Sequence, residues 1–191
     1  MPNTSSQQVR VWDIAIRLFH WTLVLSFLIA YLTEDDWVGL HTNAGYLIGF
    51  LLLFRLVWGV VGSRYARFSN FIYRPSVVKR YLQQSLRFSA PRYLGHNPAG
   101  GVMVIALLLS LGITVITGIY LYGATDFAGP MAGVFSGEFA ADLLEGLHEF
   151  FANFTLLLVF IHVGGVLYSS IEHGENLARA MLTGNKKEQI E

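Results

Sequence analysis

The chain contains no cysteine. That absence excludes covalently attached c-type haem, thiolate-held iron–sulfur clusters and any disulfide framework, and leaves imidazole as the strong ligand for a soft metal. Charge is also scarce, at 14% of 191 residues, while 53% are hydrophobic and the mean hydropathy is +0.48. Such a balance is too apolar for a soluble domain of this length and indicates an integral membrane protein. The sequence has neither an internal repeat nor a low-complexity tract, and is expected to form a single membrane domain over residues 1–191.

Four stretches are long enough to cross a hydrocarbon core that needs ~20 apolar residues, namely 13–33, 41–61, 102–122 and 148–171, and the third carries no charge. The first is too long for a signal-peptide core and has no A-x-A-like cleavage site after it, so it is expected to stay in the mature protein. All 13 Lys and Arg lie in the N-terminal arm, at one set of span ends, in the 62–100 connection or in the tail. The two short connections on the other side hold Glu34, Asp35, Asp36, Asp126, Glu138, Asp142 and Glu145 instead. The positive-inside bias therefore predicts cytoplasmic termini and a cytoplasmic 62–100 loop in a multi-pass membrane protein. Topology and contact with anionic lipid headgroups explain the basic residues, so no nucleic-acid partner is implied.

The predicted fold is all-α, a four-helix membrane bundle with one short amphipathic helix in the cytoplasmic loop. Pro75 suits the first turn of that helix, and Val77, Val78, Tyr81, Leu82 and Leu86 mark an apolar face opposite Lys79, Arg80, Gln83 and Arg87. Phe139, Leu143, Leu144 and Leu147 form a similar short face among acidic residues, expected to cap the bundle before the fourth span.

Four of the six histidines, His20, His41, His148 and His162, lie inside or at the mouths of the spans. Ionisable residues there are costly, which makes each a functional candidate. His148 and His162 are fourteen residues apart on one span. In a helix they point within ~40° of the same direction at depths ~21 Å apart. Following the chain through the membrane, His20 comes level with His162 on the cytoplasmic side and His41 with His148 on the periplasmic side. Two histidines on facing helices at one depth suit a six-coordinate b-type haem, with one ligand on each side of the porphyrin. Zinc, which takes four protein ligands or three plus water, fits less well. The plain alternative for His41 and His148 is an interfacial histidine at a helix end.

Arg55 is fourteen residues along the second span from His41 and so near the depth of His20 and His162, with Arg17 close by on the first span. Both are candidates for haem propionates, the alternative being arginines that snorkel to the headgroups. Gly45, Gly49, Gly164 and Gly165, with Gly112 and Gly118, would leave room for porphyrin or serve only in helix packing. His96 reads as a cap and loop residue, and His173 as solvated.

Arg17-Leu18-Phe19-His20-Trp21, His41 followed by Gly45, the run Gly95-His96-Asn97-Pro98-Ala99-Gly100-Gly101, His148-Glu149 with His162, and the tail segments Glu175-Asn176-Leu177 and Met181-Leu182-Thr183-Gly184 carry a resemblance. Over essentially its whole length the chain resembles the bacterial cytochrome b561 and nickel–iron-hydrogenase cytochrome b subunit family. The resemblance implies two non-covalent haems with His20, His41, His148 and His162 as axial ligands, and electron transfer between quinone and a partner redox protein. A periplasmic c-type cytochrome or a hydrogenase subunit would be such a partner. With both axial positions filled, iron has no open site for oxygen chemistry. A superoxide oxidase feeding quinone is the enzymatic alternative, disfavoured by acidic outer loops that would repel a small anion. A histidine-lined metal or proton transporter is the non-redox one.

Overall fold

The computed structural model describes residues 8–34, 36–135 and 137–188, so Asp35 of the acidic set lies outside the described residues. Four long helices dominate: α1 (Ile14–Leu32), α2 (Val38–Val61), α4 (Pro98–Thr125) and α5 (Glu138–Glu172). Each is long and apolar enough to cross a membrane. Between α2 and α4 lie a 3-10 turn, Phe68–Asn70, and α3 (Pro75–Ser85), and α6 (Leu177–Thr183) follows α5. Among the described residues the all-α character is interrupted only by a short antiparallel pair, β1 (Gln8–Arg10) with β2 (Asn185–Lys187).

Contacts divide the described chain into two compact units, and each long helix contributes to both. The bundle unit comprises residues 22–54 and 103–161. Phe27 and Ala30 of α1, Ala44 and Ile48 of α2 and Leu111 of α4 form its buried core, with Leu156 and Val159 of α5 packed against them. Small residues let the backbones approach, and Ser110 shares a hydrogen bond of 2.7 Å with Thr155, which is 0% exposed. Such hydroxyl pairs hold membrane helices together where burial of apolar surface cannot. Leu25, Phe50, Leu109 and Phe160 face outward, as a hydrocarbon solvent requires.

The second unit is rich in loops and takes in residues 8–21, 55–102 and 162–188. Here the N-terminal arm and the tail are stapled: Val11 and Trp12 donate their N–H groups to the Gly184 carbonyl at 2.8 and 3.0 Å, next to the β1–β2 pair. Asn176 caps α6 through the Arg179 N–H at 2.7 Å, and Gly184 ends that helix at φ 87°, a left-handed conformation suited to glycine. Arg17 donates to the Leu182 carbonyl at the same helix end. Glu172 accepts from the Ser85 hydroxyl and the Ala90 N–H, and Glu175 pairs with Arg92 and Lys186. These bonds fix the 85–93 loop to the end of α5.

Asp13 starts α1, accepting the Ile16 N–H at 2.9 Å, and its other oxygen accepts from the Ser63 hydroxyl and the Trp58 indole. Burial pushes this carboxyl upward, but the hydrogen bonds outweigh it and hold the pKa below its ordinary value. A depressed carboxylate stabilises the fold above its unfolded pKa of ~3.9, and that contribution is lost as pH falls through the folded value. Asp13→Ala should cost about 1 kcal/mol, lowering the thermal midpoint in detergent at pH 7 and narrowing the gap to wild type in strong acid.

Several expectations change. α3 forms over the amphipathic segment with Pro75 in its first turn, yet Tyr81 and Ser85 are the buried positions and Leu86 is 81% exposed. Burial raises the Tyr81 hydroxyl to about 12. α4 begins at Pro98 rather than 102, because the Asn97 side chain accepts the Gly100 N–H at 2.7 Å and Pro98 needs no partner at the first position. The 138–147 segment is no separate cap: it is the first part of α5, with Phe139 83% exposed. No proline interrupts residues 138–172, and Gly146, the one glycine of the 138–147 segment, costs too little to break the helix.

Candidate functional site

The bundle unit brings His41 of α2 and His148 of α5 together, their ring centroids 5.9 Å apart and their planes at 74°. The His41 Nδ1 lies 2.8 Å from the Ala30 carbonyl near the end of α1, and the His148 Nδ1 lies 2.9 Å from the Thr114 carbonyl of α4. A carbonyl only accepts, so both Nδ1 atoms carry the proton and donate, leaving each Nε2 with its lone pair. Metal-binding histidines are held in this way, with the distal nitrogen anchored and the other available. His41 and His148 would hold a metal through these two free Nε2 atoms.

Gly118 of α4 is what lets the His148 ring lie there. A Cβ at this position would sit 2.7 Å from the ring Cε1 and 3.0 Å from Nδ1. Thr117 beside it turns its hydroxyl to the Ile113 and Thr114 carbonyls, with its oxygen 3.4 Å from the His148 Nδ1. Gly45, one turn past His41, borders open space, whereas Gly49 packs on Val115 and reads as a helix contact.

His20 of α1 and His162 of α5 belong to the loop-rich unit, within electrostatic reach of each other. The His20 Nδ1 is buried and has no hydrogen-bond partner. Gly164 and Gly165 next to His162 border open space. Arg55 does not snorkel: it is 3% exposed, its Nη2 donates to the Ala66 carbonyl at 3.0 Å, and its guanidinium lies over Phe68 and Phe71 at 4.7 and 5.7 Å. Its Nη1 is buried without a partner. Arg17 is occupied at the end of α6, with its Nε left buried and unpartnered.

Two other histidines depart from expectation. Asn97 is the cap, while the His96 ring is wedged between Trp12 and Phe71, centroids 4.8 and 4.6 Å away. The His173 side chain is only 12% exposed and stands 3.9 Å from Glu172, because the Ser85–Ala90 loop closes over this end of α5. Among the described residues no three His, Asp or Glu side chains gather as a bare-metal site needs.

A family model described as prokaryotic cytochrome b561 matches residues 11–184. The chain belongs to the prokaryotic cytochrome b561 family. The probable Ni/Fe-hydrogenase B-type cytochrome subunit of Rhizobium leguminosarum bv. viciae is 24% identical over 216 residues, covering 94% of this chain and 89% of that one. The probable Ni/Fe-hydrogenase 1 B-type cytochrome subunit of Escherichia coli (strain K12) is 28% identical over 141 residues, 59% of each chain. This cytochrome is therefore a prokaryotic membrane protein that carries b-type haem and takes part in electron transfer.

The residues fit such a group. Buried nitrogens without partners on Arg17, His20 and Arg55 suit an acidic, metal-containing molecule. Sequence reasoning missed the Ala30 and Thr114 carbonyls, since a backbone acceptor has no side-chain signature. Gly118 was visible only as one small residue among several.

Proposed function

We propose that this cytochrome moves electrons across the membrane between two b-type haems, one held by His20 and His162 and the other by His41 and His148. The observation that carries the proposal is the His41–His148 pair, 5.9 Å between centroids with both Nδ1 atoms engaged by carbonyls. Haem supplies reversible one-electron chemistry at low reorganisation, without an open coordination site. The protein's part is to orient the imidazoles, compensate the propionates and exclude water with apolar side chains.

The basic 62–100 connection and tail support an orientation with His20 and His162 on the cytoplasmic side and His41 and His148 on the periplasmic side. Glu34, Asp36, Asp126, Glu138, Asp142 and Glu145 are all exposed, a surface suited to a basic patch on a periplasmic partner such as a c-type cytochrome and unsuited to superoxide. The names of the relatives favour a hydrogenase as the electron donor, with quinone as the membrane-soluble acceptor. In proteoliposomes, an impermeant low-potential reductant on one face should reduce both haems and, through them, quinone and an oxidant trapped on the far face; failure of electrons to cross would contradict the proposal.

Arg55 provides a second test. If its unpartnered Nη1 binds a propionate, Arg55→Leu should keep both haems but lower the midpoint of the His20–His162 haem, because losing a nearby positive charge disfavours the added electron. The other midpoint should hardly move. Spectroelectrochemical titration reads both; unchanged midpoints would leave Arg55 as a packing residue on Phe68 and Phe71.

A further inference from the structure

We propose that His96 is a cofactor-binding residue, donating a hydrogen bond to the same propionate of the cytoplasmic-side haem that Arg55 binds. The proposal rests on the two-haem reading above and adds a residue that is not an iron ligand. The His96 Nδ1 is buried with no hydrogen-bond partner, and so is the Arg55 Nη1. Phe71 touches both side chains, its ring 4.6 Å from the imidazole centroid and 5.7 Å from the Arg55 Cζ.

The groups around His96 do not satisfy either orphan. Lys186 is committed to Glu175 at 3.4 Å and to the Tyr93 carbonyl at 3.2 Å. Asp13 lies within electrostatic reach of Arg55, but its oxygens are taken by the Ile16 N–H, the Ser63 hydroxyl and the Trp58 indole. His20 and His162 are in electrostatic reach of His96 and would be turned to iron. Burial, reinforced by Arg55, holds the His96 pKa down at about 3, so the ring is neutral and carries one N–H to give. With that N–H on Nδ1, the two buried nitrogens around one phenylalanine ask for a single acceptor with several lone pairs. A carboxylate, an acceptor through both oxygens, meets that demand, and its one negative charge balances the one guanidinium.

The test uses the full-length holoprotein in detergent. His96→Leu should lower the midpoint of the His20–His162 haem and shift its propionate bending band in resonance Raman spectra, with two haems per chain retained. His96→Gln, whose carboxamide can donate, should restore most of the midpoint. Combined with Arg55→Leu, the His96→Leu shift should be clearly less than additive, since the two act on one group. An unmoved midpoint in His96→Leu, an equal shift in both His96 variants, or strict additivity with Arg55→Leu would overturn the proposal. Should His96→Leu lose that haem altogether, retention by His96→Gln supports the proposal and loss by both overturns it. Fewer than two haems in the wild type would instead count against the two-haem reading itself.

Discussion

Replacing His148 with alanine is expected to remove one haem of two and leave the other titrating at its wild-type midpoint. His41→Ala should give the same result, while His20→Ala and His162→Ala should each remove the second haem. The expectation follows from which side chains share a site: His41 and His148 are 5.9 Å apart between centroids, and His20 and His162 are in mutual electrostatic reach within the loop-rich unit. Among the described residues no group of three His, Asp or Glu side chains gathers as a metal site needs, and His96 is wedged between Trp12 and Phe71, so a lost ligand has no ready replacement. Pyridine haemochrome analysis gives the haem content, and redox titration shows which wave has gone. Loss of the same wave from His20→Ala and His41→Ala would break the pairing.

Gly118→Leu should remove or severely weaken the haem of the His41–His148 site without touching either ligand. A Cβ would come within 2.7 Å of the His148 ring, which cannot retreat without giving up its 2.9 Å bond to the Thr114 carbonyl. The ring would rotate away, and the Nε2 would no longer be aimed by an anchored Nδ1. Outer-shell changes of this kind commonly cost ~10–100-fold in metal affinity. Gly118→Ala should show a milder form of the same defect. The His20–His162 haem serves as the internal control in both variants. Normal haem content and two unshifted midpoints in Gly118→Leu would mean that the His148 ring does not need this groove.

The spans were legible because hydrocarbon imposes one simple rule on the sequence, and their helices end within a few residues of the expected bounds except at the start of α5. Fourteen-residue registers between His148 and His162, and between His41 and Arg55, could be read because helix geometry is local. What could not be read depends on contacts distant in sequence. His96 looks like a loop residue until Trp12 and Phe71 close around it, and His173 looks solvated until Ser85 and Ala90 engage Glu172. The β1–β2 pair joins residues near opposite ends of the chain and has no periodic signal in three residues per strand. In sequence Arg55 favoured a haem propionate over snorkelling to the headgroups, and its 3% exposure removes the snorkelling alternative.

The most direct test of the central claim is the haem-to-protein ratio of the purified wild type, followed by an optical redox titration of the same sample. Two non-covalent b-type haems per chain, both low-spin and bis-histidine, titrating as two one-electron waves, are the predicted result. One haem per chain would contradict the proposed pair of sites, as would a high-spin centre with an open axial position.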